Sequence, residues 1–237
     1  MVQGKEIDFD EIHKKLLGEN SLNSNDELIR YMNLPKLLSI LELKSLHLTQ
    51  AKKFEDKFEG MMPMNYTRFH TTSQSPSQVY QEQDIEVFRN KIYISSWNIF
   101  DSESYAMWKI YGEKYGVAIQ STVQKLNEII REMDDTYLRK VKYINDSLVY
   151  APVDDGPDFI DYFTSKKKFY SYEKEVRIIQ IAEPNMKKTI KLGSVSDLIS
   201  KIYISPFAEE WYGDLVKTII QERYGENIEV IKSGIKL

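Results

Sequence analysis

Apolar residues in this chain recur at period two and at period 3.6 in an order that never settles into a repeating strand-helix unit. That irregular order limits the fold more than any single motif does. Helical spacing at Phe9, Ile12, Leu16 and Leu17 stops at Gly18, and a polar stretch from Ser21 to Asp26 follows. Leu28 to Met32 reads as a short strand, Pro35 opens a helix through Leu37, Leu38, Ile40 and Leu41, and Leu46-His47-Leu48 is the next strand. Met62 to Ser77 reads as a loop and Gln78 to Phe88 as a polar helix.

Lys91 to Ser96 is the clearest strand of the first half, and Ser102 to Trp108 starts another helix with Ser102 as its N-cap. Gly116 leads into strand Val117 to Ile119, and Ser121 with Gln124 forms a capping box ahead of a helix whose core face is Val123, Leu126, Ile129, Ile130 and Met133. Strand Val141 to Ile144 follows, and then Asp154 to Pro157 is a turn. Phe159 to Phe169 reads as a helix running into Lys166-Lys167-Lys168. Lys201 to Ser205 is a late strand, Pro206 opens a helix from Phe207 to Tyr224, and Ile228 to Ile231 is a final strand.

The sum is about eight strands and about six surrounding helices in mixed order, an α+β fold with a mixed, mostly antiparallel sheet. Residues 1–24 are expected as an N-terminal helix and linker, and 25–237 as a single α+β domain. Neither the dinucleotide-binding nor the P-loop glycine signature occurs.

Composition removes several chemistries. The chain has no cysteine, so thiolate nucleophiles, thiolate metal sites and disulfides are out, which fits a reducing compartment. His13, His47 and His70 are the only imidazoles, and their spacing suits no zinc site; no metal is assigned. A net charge of -4 argues against a surface built throughout for nucleic acid, while a local basic patch remains open. The polar start and the lack of a long apolar run predict a soluble, cytoplasmic protein with no membrane partner.

Chemistry concentrates in Glu173-Lys174-Glu175-Val176-Arg177, which runs into Ile178-Ile179-Gln180-Ile181. As a strand, this segment points Glu173 and Glu175 the same way, and two like charges side by side are tolerated where a cation, a metal or a polar substrate sits between them. Arg177 shares their face, which leaves a structural ion pair with Glu175 as the competing reading. Ser95-Ser96-Trp97 ends a strand with no histidine in a base position beside it, so a Ser-His-Asp hydrolase is excluded. Phe54 to Gly60 offers Asp56 and Glu59 for a cation or ribose, or else a turn anchored by Phe54 and Phe58. Lys166, Lys167 and Lys168 with Phe169, Tyr170 and Tyr172 form the one basic cluster, suited to nucleotide phosphates and bases or simply to a solvated helix end.

Taken together, these segments resemble a bacterial family catalogued as domain of unknown function 2971. The resemblance rests on Arg30-Tyr31, the helix Leu37 to Leu41, the strand Leu46 to Leu48, the turn Phe54 to Gly60, Ser96-Trp97, Met107-Trp108, Gly116 to Ile119 and Glu173 to Arg177, and spans most of the chain. A looser likeness is to ADP-ribosyltransferases of the Arg-Ser-Glu type. It implies that Arg30, or Tyr31 beside it, contacts NAD, that Ser95 or Ser96, with Trp97, braces the nicotinamide pocket, and that NAD is the co-substrate. It also implies that Glu175 stabilises the oxocarbenium-like transition state, that Glu173 orients the acceptor, and that the acceptor is a nucleic acid or a protein. Loose family association adds a role in conflict with phage. Two other readings stay open: a metal-dependent nuclease or phosphodiesterase holding Mg²⁺ on Asp56, Glu59, Glu173 and Glu175, and a non-catalytic binding or regulatory module.

Overall fold

The computed structural model describes residues 22–54, 82–144, 160, 163–184, 188–224 and 228–236. Its centre is a nine-stranded sheet. Strand β1 (Glu27–Asn33) pairs antiparallel along its whole length with β4 (Gly116–Thr122), which in turn pairs antiparallel with β10 (Lys201–Ile204). The final strand β11 (Glu229–Lys232) runs parallel to β10. Toward the other end stand β3 (Ile92–Ile99), β2 (Ser45–Gln50) and β9 (Lys188–Lys191). The sheet is therefore mixed and mostly antiparallel, as the irregular element order predicts.

Strand β3 organises the molecule. One of its edges is paired end to end with β8 (Glu175–Ile181), from Ile92 opposite Ile181 to Asn98 opposite Glu175. Its other edge is shared: β2 meets it at Tyr93 and Ile94, while β1 meets it only at Asn98 and Ile99. Between those two registers lie Ser95, Ser96 and Trp97, where the sheet splits. Strand β5 (Thr136–Lys140) adds to the far side of β8.

Local signals explain the elements around the sheet. Helix α1 (Leu34–Leu43) begins where the Asn33 side chain accepts the Lys36 N–H, carries Pro35 in its first turn, and ends at Lys44 in a left-handed conformation (φ 42°). Its buried Leu37, Ile40 and Leu41 cover the sheet, each contributing about 1.5–3 kcal/mol relative to exposure. Helix α2 (Glu82–Lys91) leads into β3. A short helix α3 (Tyr105–Met107), capped by Ser104 rather than Ser102, widens into a π-turn at Trp108–Gly112. Gly116 is required where this turn meets β4, because a Cβ there would lie 1.9 Å from the Gly112 carbonyl oxygen.

Helix α4 (Val123–Ile130) is capped by Thr122, one residue later than the expected Ser121, because Ser121 is still inside β4 and fully buried. Helix α5 (Glu210–Thr218) continues as a π-turn at Ile219–Arg223 and packs Tyr212 and Val216 inward.

A larger expectation fails as well. The three lysines do not end a helix: Ser165–Lys167 is strand β7, parallel to β6 (Lys142–Ile144) in a separate two-stranded sheet, and Lys168–Glu173 is a 3₁₀ turn. The strand form sends Lys166 and Lys167 to opposite sides, and Lys166 turns toward Glu173 and Glu175. The turn at Phe54 to Gly60 (beyond Phe54 itself), the loop Met62 to Ser77, the turn at Asp154 to Pro157 and the N-terminal helix lie outside the described residues.

Candidate active site

The carboxylate pair comes together by a route the sequence pattern does not indicate. Glu173 is the last residue of the 3₁₀ turn and Glu175 the first of β8, with Lys174 between them in a left-handed conformation (φ 44°). Strand alternation is thus not what aligns them; the left-handed Lys174 and a shared cation do. Lys166 Nζ lies 2.5 Å from Glu173 Oε2 and 3.3 Å from Glu175 Oε2. The Arg177 guanidinium closes on the other side, its Nε 2.8 Å from Glu175 Oε1 and an Nη 2.9 Å from Oε2, while its second Nη donates to the Phe163 carbonyl at 2.7 Å. Glu173, Glu175 and Arg177 are all buried. The backbone is pinned as well: the Glu175 N–H donates to the Tyr143 hydroxyl, and the Asn98 side chain donates to the Glu173 carbonyl.

This setting drives the two carboxyls apart. Burial alone would push Glu175 up, but the Arg177 charge and hydrogen bonds, with Lys166 and the Ser96 hydroxyl, outweigh it and hold the group at about 2. Burial pushes Glu173 above the ordinary glutamate value, against the pull of Lys166. Adjacent acids separated in this way take different roles, one staying ionised and the other able to exchange a proton. Tyr111, about half exposed, is pushed up to about 12 by desolvation and then by the Glu173 charge, and Tyr172 lies close enough to add to the effect. Tyr143 is raised by burial and by the same acids.

A second polar group sits on the opposite face of β3. Ser95 Oγ accepts from Arg30 at 2.9 Å and from the Trp97 indole at 3.2 Å, and the Arg30 guanidinium carbon lies 6.0 Å from the Trp97 ring centre. Burial pulls Arg30 down to about 10, which leaves it protonated at neutral pH. Among the described residues it has no carboxylate partner. Cross-strand register places Ser96 opposite Arg177, on the carboxylate face, and Ser95 with Trp97 on the other.

Arg30 and Tyr31 likewise separate. The Tyr31 hydroxyl accepts the Ser104 N–H at 2.9 Å and its ring stands edge-on to Trp108 at 4.9 Å, inside an apolar cluster with Ile29, Met107 and Ala118. The structure thus brings together Glu173, Glu175 and Ser96 in one group and Arg30, Ser95 and Trp97 in another, with Tyr31 in the core. No hydrogen bond or ion pair between described residues joins the two groups.

Tyr111 and Tyr143 neighbour the carboxylate pair and carry no local signal of it, whereas Lys166, expected in a basic cluster for phosphates, pairs with the two acids instead. Tyr143 is 32 residues from Glu175 in the chain, and only strand pairing makes them neighbours. Asp56 and Glu59 lie outside the described residues. Between Glu173 and Glu175 the place a divalent ion would take is filled by Lys166 Nζ, so this donor set does not suit Mg²⁺. No helix among the described residues is long and apolar enough to cross a membrane.

No family model matches the chain and no curated protein matches it, so the resemblance to domain of unknown function 2971 rests on the quoted residues alone. Among solved structures, the chain is similar to Thermus sp. 2.9 DarT in complex with NAD⁺, at 10% identity and a TM-score of 0.42, covering 90% of this chain and 97% of that one. It is similar also to the same protein in complex with ADP-ribosylated ssDNA, at 10% identity and 0.39 over the same shares. A third likeness, with carba-NAD⁺, is at 10% identity and 0.40, over 89% and 96%. Likenesses this distant carry no argument about chemistry, and the side chains themselves supply it.

Proposed function

We propose that this chain is an ADP-ribosyltransferase-like enzyme that uses NAD as co-substrate. The observation that carries the reading is the unequally held carboxylate pair: Glu175 is bound by both Arg177 and Lys166, while Glu173 beside it is bound by Lys166, so Glu175 is the one held ionised. As nicotinamide leaves with the electron pair of its bond to ribose, positive charge develops on the sugar. A fixed anion facing that charge lowers the barrier by several kcal/mol, on the order of other preorganised electrostatic sites. Glu175 is that anion.

Glu173, when deprotonated, accepts the proton of the incoming acceptor. Arg30, a cation without a carboxylate partner among the described residues, suits the diphosphate. Ser95 holds Arg30 and also takes the Trp97 indole N–H, and Ser96 supports Glu175. Tyr31 packs against Trp108 rather than touching ligand. The acceptor is a nucleic acid: Phe169 and Tyr172 expose their rings in the turn that ends at Glu173, Tyr111 exposes its ring from the π-turn near the same acid, and such rings stack on bases.

The test incubates the protein with labelled NAD and single-stranded DNA, RNA or a protein acceptor. Wild type is expected to release nicotinamide and label a nucleic acid, and Glu175→Gln to lower the rate about 10²–10³-fold. An unchanged rate in Glu175→Gln removes the role given to that residue.

A further inference from the structure

Lys166 reaches the carboxylate pair from a different element than either acid. It comes from β7, in the two-stranded sheet, and its side chain is only 9% exposed. Its ammonium touches one oxygen of each glutamate and lies 4.7 Å from the centre of the Tyr170 ring. Glu175 has a second, bidentate cation in Arg177, whereas Lys166 is the one cation within ion-pair distance of Glu173 among the described residues. The two acids are therefore held unequally by two cations, and Lys166 is what sets Glu173.

We propose that Lys166 is a positioning residue that fixes Glu173 beside the reacting centre and sets the pH at which Glu173 can take the acceptor's proton. The kinetic part of this rests on the transferase reading; the ionic part does not. Among the described residues, the groups facing Glu173 are Lys166 from β7, Glu175 and Arg177 from β8, Tyr111 from the π-turn and Tyr143 from β6. Glu175 and Arg177 are locked to each other, and both tyrosines stay neutral near pH 7. This leaves Lys166 as the partner whose removal Glu173 feels. Losing an adjacent cation disfavours the charged carboxylate, so Glu173 must titrate at higher pH without it, by about one to three pH units.

The measurement follows the Glu173 side-chain carboxyl by ¹³C NMR in wild type, Lys166→Met and Lys166→Arg, with Glu173→Gln assigning the signal. An upward move in Lys166→Met that Lys166→Arg reverses is expected; a midpoint within a few tenths of a pH unit in all three overturns the proposal. Should Lys166→Met not fold, Lys166→Gln takes its place. In the unsubstituted protein the Lys166 ¹⁵Nζ resonance must shift with the same midpoint as the Glu173 carboxyl, and a resonance flat through that midpoint also overturns it. In nicotinamide-release assays the acidic limb of the rate profile is expected to move with the carboxyl. A wild type that titrates as described yet releases no nicotinamide refutes the transferase reading and leaves the Lys166–Glu173 coupling standing.

Discussion

Two arginines flank strand β3, one on each side of the sheet, and they are held in opposite ways. Arg177 is fully buried and spends its guanidinium on Glu175 and on the Phe163 carbonyl. Arg30 is partly open, donates to Ser95, and has no carboxylate among the described residues. A buried guanidinium with a bidentate partner is complete and holds its neighbour ionised. One that has lost part of its hydration without gaining an anion among the described residues suits an anionic ligand, the role proposed for Arg30. The difference separates a residue that shapes the site from one that can bind at it.

The largest expected effect breaks this contrast by stability. Arg177→Met leaves the Glu175 carboxylate buried with Lys166 at 3.3 Å and the Ser96 hydroxyl as its remaining partners among the described residues, and should cost about 3–5 kcal/mol in urea unfolding. Arg30→Met removes one hydrogen bond from a serine that keeps the Trp97 indole, and should cost about 1 kcal/mol. Equal losses would mean that Arg30 is as much a structural ion as Arg177. A double variant, Glu175→Gln with Arg177→Met, should cost less than the two single changes added together, since they share one interaction.

Acid sharpens the same comparison. The folded Glu175 carboxyl, at about 2, lies below its ordinary value of 4.5, so ionised Glu175 contributes stability that is fully present above about pH 4.5 and is lost as pH falls toward 2. Glu173 has the opposite sign, its raised carboxyl binding a proton more readily when folded, so it offsets part of that slope. Unfolding midpoints measured across this window should flatten in Glu175→Gln and keep their slope in Arg30→Met.

The sheet is legible because short runs rich in β-branched and aromatic residues, such as Ile92 to Ile94 and Val176 to Ile179, have few other uses, and the two acids of the Glu-x-Glu segment do come together, though not by strand alternation. A strand was expected through Glu173, whereas the strand starts at Glu175 and a left-handed Lys174 turns the chain. Three lysines in a row carry no period, so the sequence could not say whether they would fan out around a helix or alternate as a strand; pairing with β6 and the buried acids decides it. The face assignment of Ser95 and Ser96 was likewise undetermined. Alternation states that only one serine can face a given side, and the β3–β8 register is a long-range fact that says which.

That register supplies the smallest and most discriminating test. Ser95 is fully buried and its hydroxyl accepts from two donors, so Ser95→Ala strands the Trp97 indole N–H and loosens Arg30, a cost of about 1–3 kcal/mol. Ser96 is only partly buried and supports Glu175, which already has Arg177 and Lys166, so Ser96→Ala should cost about 0.5–1 kcal/mol and raise the Glu175 carboxyl slightly. The pair also separates by ligand. Ser95→Ala should weaken NAD binding in calorimetry by disturbing Arg30, whereas Ser96→Ala should leave binding near wild type and slow nicotinamide release, because its partner is the anion and not the diphosphate contact. The reverse pattern would place the ligand on the carboxylate face alone and remove Arg30 from its recognition.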